Sequence, residues 1–456
     1  MSYPKPPSFT IAFQHYQNDR LLEAEQVCQQ ILHQQPNHVE ALQLLGSIAD
    51  RTGALEASIA YYQQAIALKP DFRSYLDLGS VCQKQGKLEA AIAFYQQAIA
   101  LKPDSDAYCN LGNALKEQGK FATAIASYNR AIELNSDYQN ARFNRAHALL
   151  LSGDLMRGFA EYECRWENAQ HLQVNPPPPA SHPLWDGSAL DGQTILIHYE
   201  QGFGDVIQFI RYVPLVKQRG GRVLVGCRSP LMRLLSSVAG IERLVVVGGF
   251  IPKFDVYVPV LSLPHIFKTT LENIPNQVPY LSVPASNIQI GAPPGSQMKV
   301  GIVWAAGELG ESKIQGIHRK RSCQLSYFTN LLHLPGIAFY SLQKGPRTVD
   351  LEQYSCSGLI QDLSHQLRNF ADTAAILLQL DLVITVDTAV AHLAGALGKP
   401  VWVLLPFAPN WRWLLGRDDS PWYPSMRLFR QDKPGDWAGV FTQVGEALNR
   451  VTGVRV

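Results

Sequence analysis

The stretch with the most specific chemistry begins at Leu382. The apolar run to Val386, rich in β-branched residues, predicts a strand buried on both faces. Asp387 and Thr388 follow, and both residue types favour the N-cap of a helix. Small helix-forming residues come next, and a second apolar run begins at Val401. The pattern therefore predicts a strand, a tight turn, a helix and another strand.

The helix start predicted here suits a phosphate group. The N–H groups of Thr388, Ala389 and Val390 would point out at the carboxyl edge of the sheet, where a helix dipole favours an anion. His392 lies one turn further and either reaches the ligand or is a core histidine with its hydrogen bonds satisfied. The alternative interpretation is an ordinary βαβ unit that binds nothing.

Cations follow two other strand-like runs. The run that ends near Ala305 leads to a loop containing His318-Arg319-Lys320-Arg321-Ser322, and Lys344 follows the next run. Arg319, Arg321 and Lys344 could clamp a diphosphate across from the helix at Thr388. A solvated basic loop is the alternative, and it is the commoner fate of such a run.

Two carboxylates follow another strand-like run. Glu200 stands at the end of the run Thr194–His198, and Asp205 is placed at the start of the next helix, after Gly202-Phe203-Gly204. No third glycine follows at dinucleotide spacing, so the Rossmann fingerprint is incomplete. Asp205 suits a general base that takes a proton from an acceptor hydroxyl, and Glu200 is its rival. Alternatively, Asp205 is a helix-start charge that complements the dipole.

The elements that position these residues occupy the chain from about residue 193. Four strand-like runs alternate with helical patterns over 193–285, which predicts an open, mostly parallel α/β sheet. A second α/β series fills 298–456 after a Pro/Gly-rich linker. Two such lobes would place a ligand between the carboxyl edges of their sheets. The predicted strands are Thr194–His198, Arg222–Cys227, Arg243–Val247, Val256–Val260, Lys299–Ala305, Ile337–Gln343, Leu382–Val386 and Val401–Leu405.

Residues 1–170 show an internal repeat. The segment from Tyr62 to Asp71 recurs from Tyr95 to Asp104, 33 residues later, and more loosely from Tyr128. Each period carries two helical patterns separated by a glycine turn. The segment resembles the tetratricopeptide repeat, which implies a superhelix of helix pairs with a concave face. That face is either a groove for a peptide or protein, or a prop for the next domain, and the repeat tyrosines are expected in the core. The linker 171–192, with prolines at 176–179, is predicted to be extended.

Composition narrows the function. The formal net charge is +2, which gives no bulk attraction for nucleic acid. The seven cysteines are scattered without CxxC spacing, which disfavours zinc or disulfides and favours the cytoplasm. Neither a signal peptide nor a transmembrane helix is predicted.

Residues 184–456 resemble glycosyltransferases of the GT-B type. They are similar to the bacterial heptosyltransferase-like family and to the tetratricopeptide-repeat glycosyltransferases that share its catalytic part. The similarity is carried by Glu200-Gln201-Gly202-Phe203-Gly204-Asp205 and by Asp387-Thr388-Ala389-Val390-Ala391-His392. The predicted fold class is thus an all-α repeat superhelix followed by a GT-B pair of Rossmann-like, doubly wound lobes.

This resemblance implies an inverting, metal-independent transfer from a nucleotide sugar, with no cofactor. Asp205 would be the base, and Arg319, Arg321, Lys344 and the helix at Thr388 would stabilise the leaving diphosphate. The cationic loop differs from that of the heptosyltransferases, which also lack the repeats, so their donor sugar does not carry over. The acceptor would be a protein, peptide or glycan.

Two other functions are compatible with the sequence. The chain could be an interaction protein whose repeats bind a partner, with an inactive or ligand-sensing GT-B part. It could also be a nucleotide-sugar epimerase, which shares the two-lobed fold. The repeats disfavour the epimerase, because an isomerase of small molecules has no use for a partner groove.

Overall fold

The computed structural model describes residues 8–167, 182–307 and 321–452. The chain divides into two compact units, Met1–Ala148 and Leu149–Val456. In the described part of the chain, no helix is both long and apolar enough to cross a lipid bilayer.

The first unit is built from antiparallel helix pairs, and the final helix of the series runs past its end. Proline and aspartate between successive pairs stop one helix and start the next: the Asp71 carboxylate accepts from the N–H groups of Arg73 and Ser74, and Asp104 accepts from that of Asp106. The helices are α1 (Phe9–Gln17), α2 (Leu21–Gln34), α3 (Val39–Thr52), α4 (Leu55–Leu68), α5 (Phe72–Lys84), α6 (Leu88–Leu101), α7 (Ser105–Glu117), α8 (Phe121–Leu134) and α9 (Gln139–Ser152).

A glycine and a tyrosine set the spacing within each repeat. A Cβ atom placed on Gly79 would lie 2.6 Å from the Tyr95 ring, so the two helices of the pair can approach this closely only with glycine there. Gly46 with Tyr62, and Gly112 with Tyr128, repeat the contact. All three tyrosines are buried, which confirms their prediction as core residues.

The first lobe of the second unit is a parallel sheet of four strands, ordered β3-β2-β1-β4. Helix α10 and the turn after it precede β1, and helix α11 follows β1. The elements are α10 (Leu155–Tyr162), β1 (Thr194–His198), α11 (Phe203–Phe209), α12 (Val213–Lys217), β2 (Arg222–Cys227), α13 (Ser229–Leu235), β3 (Ile241–Val246), β4 (Val256–Pro259) and α14 (Leu263–Ile266), with 3-10 turns at Glu163–Glu167, Ile210–Tyr212 and Val260–Ser262.

The second lobe is a parallel sheet of six strands, ordered β10-β9-β8-β5-β6-β7. Two of its strands, β7 and β10, were not predicted from the sequence. The elements are β5 (Met298–Val303), β6 (Ile337–Ser341), α15 (Asp350–Gln353), β7 (Ile360–Asp362), α16 (Phe370–Leu377), β8 (Leu382–Val386), α17 (Ala389–Ala396), β9 (Val401–Leu405), β10 (Met426–Arg430) and α18 (Trp437–Thr452), with 3-10 turns at Leu325–Leu331, Pro346–Val349, Ser364–Gln366 and Trp411–Trp413.

Both sheets reverse their strand order at a central strand. The reversal lies between β1 and β4 in the first lobe and between β5 and β8 in the second. A crevice opens outside the carboxyl ends of the strands at such a point, and open α/β folds bind ligands there. The helical repeat followed by parallel α/β lobes confirms the predicted succession of fold classes.

The start of the second unit differs from the predicted boundaries. Repeats were expected to residue 170 and a linker to 192, but α10 and the turn Glu163–Glu167 belong to the second unit. The backbone N–H of Tyr257 in β4 donates to the carbonyl of Pro183, and that of Trp185 donates to the carbonyl of Tyr257. The chain therefore joins the sheet ten residues earlier than predicted. Of the predicted linker, 171–181 lies outside the described residues.

A buried ion pair holds α10 and its following turn to the first lobe. The guanidinium of Arg165 donates to both carboxylate oxygens of Glu200, at 2.9 Å each, and neither side chain is exposed. Arg165 also donates to the hydroxyl of Ser262 at 2.8 Å. Removing one partner of such a pair leaves the other charge buried and uncompensated.

We expect Arg165→Ala to lower the free energy of unfolding of the second unit by about 3–5 kcal/mol. Urea titration followed by tryptophan fluorescence measures this selectively, because all eight tryptophans lie at or after Trp166. Arg157→Ala is the matched control on α10, because its ion pair with Asp154 is exposed and contributes weakly. Equal effects of the two substitutions would contradict the assignment.

Candidate active site

Four predicted site residues directly follow the carboxyl end of β8, at the strand reversal of the second lobe: Asp387, Thr388, Ala389 and Val390. Thr388 is the N-cap of α17, and its hydroxyl accepts from the N–H of Val390 at 3.2 Å and pairs with Thr385 at 3.0 Å. Three N–H groups were predicted to be free for a ligand, but that of Val390 is already bonded to the side chain of Thr388. Ala389 begins the helix, whose dipole still favours an anion at this end.

Arg321 and Asp387 meet across the same reversal. Arg321 Nη1 lies 3.5 Å from Asp387 Oδ2, and Asp387 is buried. The arginine is thereby held at the carboxyl ends of β5 and β8, beside the start of α17. Arg319, the other predicted arginine, lies outside the described residues.

Lys344 is at the predicted edge, but its Nζ donates to the backbone carbonyl of Leu367. Its neighbour Gln343 has a role that the sequence did not suggest. The buried amide of Gln343 accepts from the N–H groups of Trp304 and Ala305, at 3.2 and 2.9 Å, and so ties the end of β5 to the end of β6.

Asp205 lies in the first turn of α11 with both carboxylate oxygens engaged. Its Oδ2 accepts from the N–H of Gly202 at 2.8 Å, which is the helix-capping role that we weighed against catalysis. Its Oδ1 pairs with Arg412 Nη2, from the second lobe. The Arg412 Nε is in turn held by Gln208 Oε1 at 2.8 Å.

Glu200 does not reach the crevice, in contrast to its prediction as an alternative base. Its carboxylate is fully buried and bound by Arg165, as described above. Burial raises the pKa of this carboxyl, although the charge of Arg165 opposes the shift. We therefore assign Glu200 to the interior of the fold rather than to proton transfer.

The two lobes touch where Asp205 begins its helix. A Cβ atom on Gly204 would lie 2.8 Å from His392 Cδ2 and 3.5 Å from the Cα of Ala389. Only glycine allows the start of α11 to come this close to the first turn of α17. The predicted base and the predicted phosphate helix are thus brought together.

His392 is a buried histidine with a satisfied hydrogen bond. Its Nδ1 lies 3.0 Å from the hydroxyl of Tyr423, and its ring stacks on Trp413 at 5.2 Å between centroids. Burial lowers its pKa well below 6.5, and the nearby charges of Arg412, Arg211 and Arg321 lower it further. Of the two roles predicted for His392, the structure favours the core histidine.

Aromatic side chains fill the junction between the lobes. Phe159, from α10, packs edge-on against Trp411 and Trp422 at 5.4 and 6.4 Å, and Phe209 also contacts both rings. Trp411 and Trp422 are both buried, and they pack between the lobes.

Arg412 and Gln208 were not predicted as site residues. The partner of Arg412, Asp205, is 207 residues away in the sequence, so no local pattern points to the pair. Gln208 follows Asp205 at i+3, so the two side chains share one face of α11. That spacing was the only available signal.

Other candidate features do not add to this site. In the described part of the chain, no three His, Cys, Asp or Glu side chains gather as metal ligands. A separate open cavity of about 530 Å³ lies between residues 293–296, β6 and residues 357–361, and it contains none of the predicted site residues.

Comparison with known families identifies the repeats. Residues 14–71 and 105–138 match models of the tetratricopeptide repeat, and residues 79–119 match a TPR repeat model. The first unit is a tetratricopeptide-repeat array. The chain is also 27% identical over 350 residues to protein FlbA of Caulobacter vibrioides (strain ATCC 19089 / CIP 103742 / CB 15). This alignment covers 68% of the chain, more than the repeats alone, and 55% of FlbA, so the chain spans about half of that relative.

Solved repeat proteins are also similar to part of the chain. The crystal structure of MamA is 23% identical with a TM-score of 0.33, over 37% of this chain and 97% of MamA. YrrB, described as a TPR protein with an unusual peptide-binding site, is 14% identical with a TM-score of 0.32, over 35% of this chain and 86% of YrrB.

We expect His392 to make folding sensitive to mild acid. Because its pKa is lower folded than unfolded, the unfolded chain takes up a proton first, and stability is lost as the pH falls below about 6.5. His392→Asn should flatten that loss by up to about 1.4 kcal/mol per pH unit between pH 6.5 and 5. Urea unfolding at each pH, followed by tryptophan fluorescence, measures the slope.

His265→Asn is the control for this experiment, because His265 is an exposed histidine of the same unit. An unchanged slope in His392→Asn, or the same change in His265→Asn, would show that His392 is not held neutral by the fold.

Proposed function

We propose that the chain is a glycosyltransferase that moves a sugar from a nucleotide sugar to a protein or glycan acceptor. The observation that carries this proposal is the meeting of the two lobes at their strand reversals. There, Asp205 of the first lobe stands beside the helix start and the arginines of the second. A base and an anion site are thus within one junction, which is what transfer from a diphosphate leaving group needs.

The donor diphosphate would lie at the start of α17. Thr388 and Ala389 lie at the positive end of the helix dipole, and Asp387 holds Arg321 next to them. We retain Lys344 as a second cation at this edge, since exchange of the Leu367 carbonyl for a phosphoryl oxygen would bring it into the site. Arginine and lysine would neutralise the charge that develops as the diphosphate departs.

The proposed reaction is one in-line displacement. The acceptor hydroxyl oxygen bonds to the anomeric carbon of the sugar as the bond from that carbon to the diphosphate oxygen breaks. The hydroxyl proton passes to the carboxylate of Asp205, and the nucleoside diphosphate leaves with the electron pair of the broken bond. A single displacement inverts the anomeric centre. We propose that the reaction proceeds without a metal, because cations of the chain stabilise the leaving group.

The repeats would present the acceptor. Stacked helix pairs form extended surfaces suited to peptides and protein segments. We propose that the repeat array holds a protein or a glycan-bearing partner while the α/β unit modifies it.

A second candidate function is a repeat interaction protein whose α/β unit senses a ligand without turning it over. The engagement of both oxygens of Asp205 favours this interpretation, because the acceptor hydroxyl would have to share an oxygen that already accepts another hydrogen bond. The two functions differ in turnover and share the predicted nucleotide site.

We expect Asp205→Asn to lower sugar transfer by about 10²- to 10⁴-fold while nucleotide binding persists, because the amide cannot accept the proton. Arg321→Ala and Lys344→Ala should instead weaken binding of the nucleoside diphosphate. Nucleotide release from a panel of nucleotide sugars measures turnover, and titration calorimetry without added metal measures binding.

Arg222→Ala controls for the loss of one positive charge, because Arg222 is exposed at the amino end of β2. An unchanged rate in Asp205→Asn would remove this carboxylate from the mechanism. Normal nucleotide affinity in Arg321→Ala and Lys344→Ala would show that the diphosphate binds elsewhere. Binding without turnover in the unaltered protein would favour the ligand-sensing reading.

A further inference from the structure

We propose that Arg412 is a diphosphate-binding residue which exchanges Asp205 for the phosphoryl oxygens of the donor. Binding of the donor would thereby release Asp205 Oδ1 for the acceptor proton. This inference rests on the proposed function for the identity of the anion. It adds a residue and an order of events: the nucleotide must bind before the base is available.

The first support is the position of Arg412 in the junction. It lies on the turn Trp411–Trp413, and its guanidinium crosses from the second lobe to Asp205 in the first. Gly204, the residue before Asp205, packs on Ala389 and His392 in the first turn of α17. The ion pair therefore stands beside the helix start that we assign to the diphosphate.

The second support is the balance of charge around this helix start. Arg321 forms an ion pair with Asp387, and Arg412 forms one with Asp205. Arg211 is buried nearby, and its guanidinium donates to the Trp422 carbonyl at 2.7 Å and to the Tyr280 hydroxyl at 3.0 Å. Arg412, Arg211 and Arg321 all lie close enough to His392 to lower its pKa, and together with the helix dipole they favour an anion at this helix start.

The third support is an incomplete hydrogen-bond network at Gln208. Its Oε1 must accept from Arg412 Nε, because that guanidinium nitrogen can only donate, so the orientation of the amide is fixed. The Nε2 on the other side is buried and has no partner within the residues that the structure describes. A buried N–H without an acceptor is costly. A phosphoryl oxygen entering the cluster would supply the missing acceptor.

Gln208 also explains how Arg412 could change partner without leaving the site. Gln208 Oε1 binds Nε, while Asp205 binds Nη2, at the far end of the guanidinium. Stacking on Trp411, with the guanidinium carbon 4.1 Å from the ring centre, holds the same side chain from one face. Asn410 Oδ1 holds Nη1 at 2.9 Å, so only Nη2 faces Asp205. A phosphoryl oxygen could therefore take the place of Asp205 Oδ1 at Nη2 while the rest of the planar guanidinium stays anchored.

A binding cycle tests this exchange with inorganic pyrophosphate and UDP as the probes, by titration calorimetry on the full chain without metal. If Arg412 must leave Asp205 to bind the anion, removing the competing carboxylate strengthens binding. Asp205→Asn should then raise the affinity for a probe by on the order of tenfold. Arg412→Ala should lower it by about 30-fold or more. In the Arg412→Ala background, Asp205→Asn should give no gain.

Two further variants complete the test. Asp419→Asn removes the same charge from an exposed ion pair with Arg417 in the second lobe, and it should leave the affinity unchanged. Arg412→Lys keeps a cation on the turn and should bind the probe with intermediate affinity, which also covers the case that Arg412→Ala does not fold.

The outcomes separate this inference from the proposed function. Unchanged or weaker probe binding in Asp205→Asn, or an equal gain in the Arg412→Ala background or in Asp419→Asn, overturns the exchange. If the unaltered protein binds neither UDP nor pyrophosphate, the exchange is overturned, and the proposed site does not bind these two probes. If the cycle behaves as predicted but no sugar is transferred, the anion site stands and the transferase activity does not.

Discussion

The contact between Gly204 and the first turn of α17 is the constraint on which the geometry of the second unit depends. No side chain larger than hydrogen fits there, so the start of α11 is pressed against Ala389 and His392. Because the contact joins the two strand reversals, it decides which residues can share a site. Asp205 stands beside the start of α17 for this reason, and Arg412 can span the lobes to reach it.

Among the described residues of the second unit, three arginines are buried, Arg165, Arg211 and Arg412, and each binds a different kind of partner. Arg165 has the full bidentate partnership of Glu200 and stabilises the entry of the chain into the first lobe. Arg211 is held by carbonyl and hydroxyl oxygens and by aromatic faces. Arg412 lies between these cases, with a carboxylate partner that remains partly exposed. A fixed pair suits structure, whereas a partly solvated pair can be exchanged at lower cost.

Much of this fold could be predicted from sequence because its central strands are continuous apolar runs. Thr194–His198, Leu382–Val386 and Val401–Leu405 were predicted with the bounds that the structure shows. The strands β7 and β10 were missed because they lie at the sheet edges and carry polar residues: Gln361 and Asp362 in one, Arg427 and Arg430 in the other. The edge strands β3 and β4 of the first sheet were predicted because they keep apolar runs, whereas polar residues interrupt the runs of β7 and β10.

The site was harder to predict because its contacts join distant parts of the chain. The turn at Asp387 and Thr388 could be recognised because its residues are adjacent in the sequence, and its position at a strand reversal follows from the sheet. The partners of Asp205 and Glu200 could not be predicted. Arg412 belongs to the other lobe, and Arg165 lies in a segment that was predicted to belong to the repeats. Hydrogen-bond partners of this kind are set by tertiary packing and have no local signature.

The most direct test is a crystal structure of the full chain with a nucleoside diphosphate bound. We expect the β-phosphate at the start of α17, in contact with Arg321 and Arg412, with Asp205 Oδ1 released. A nucleotide seated elsewhere, such as the cavity beside β6, or a bound diphosphate with the Asp205–Arg412 pair intact, would contradict this expectation.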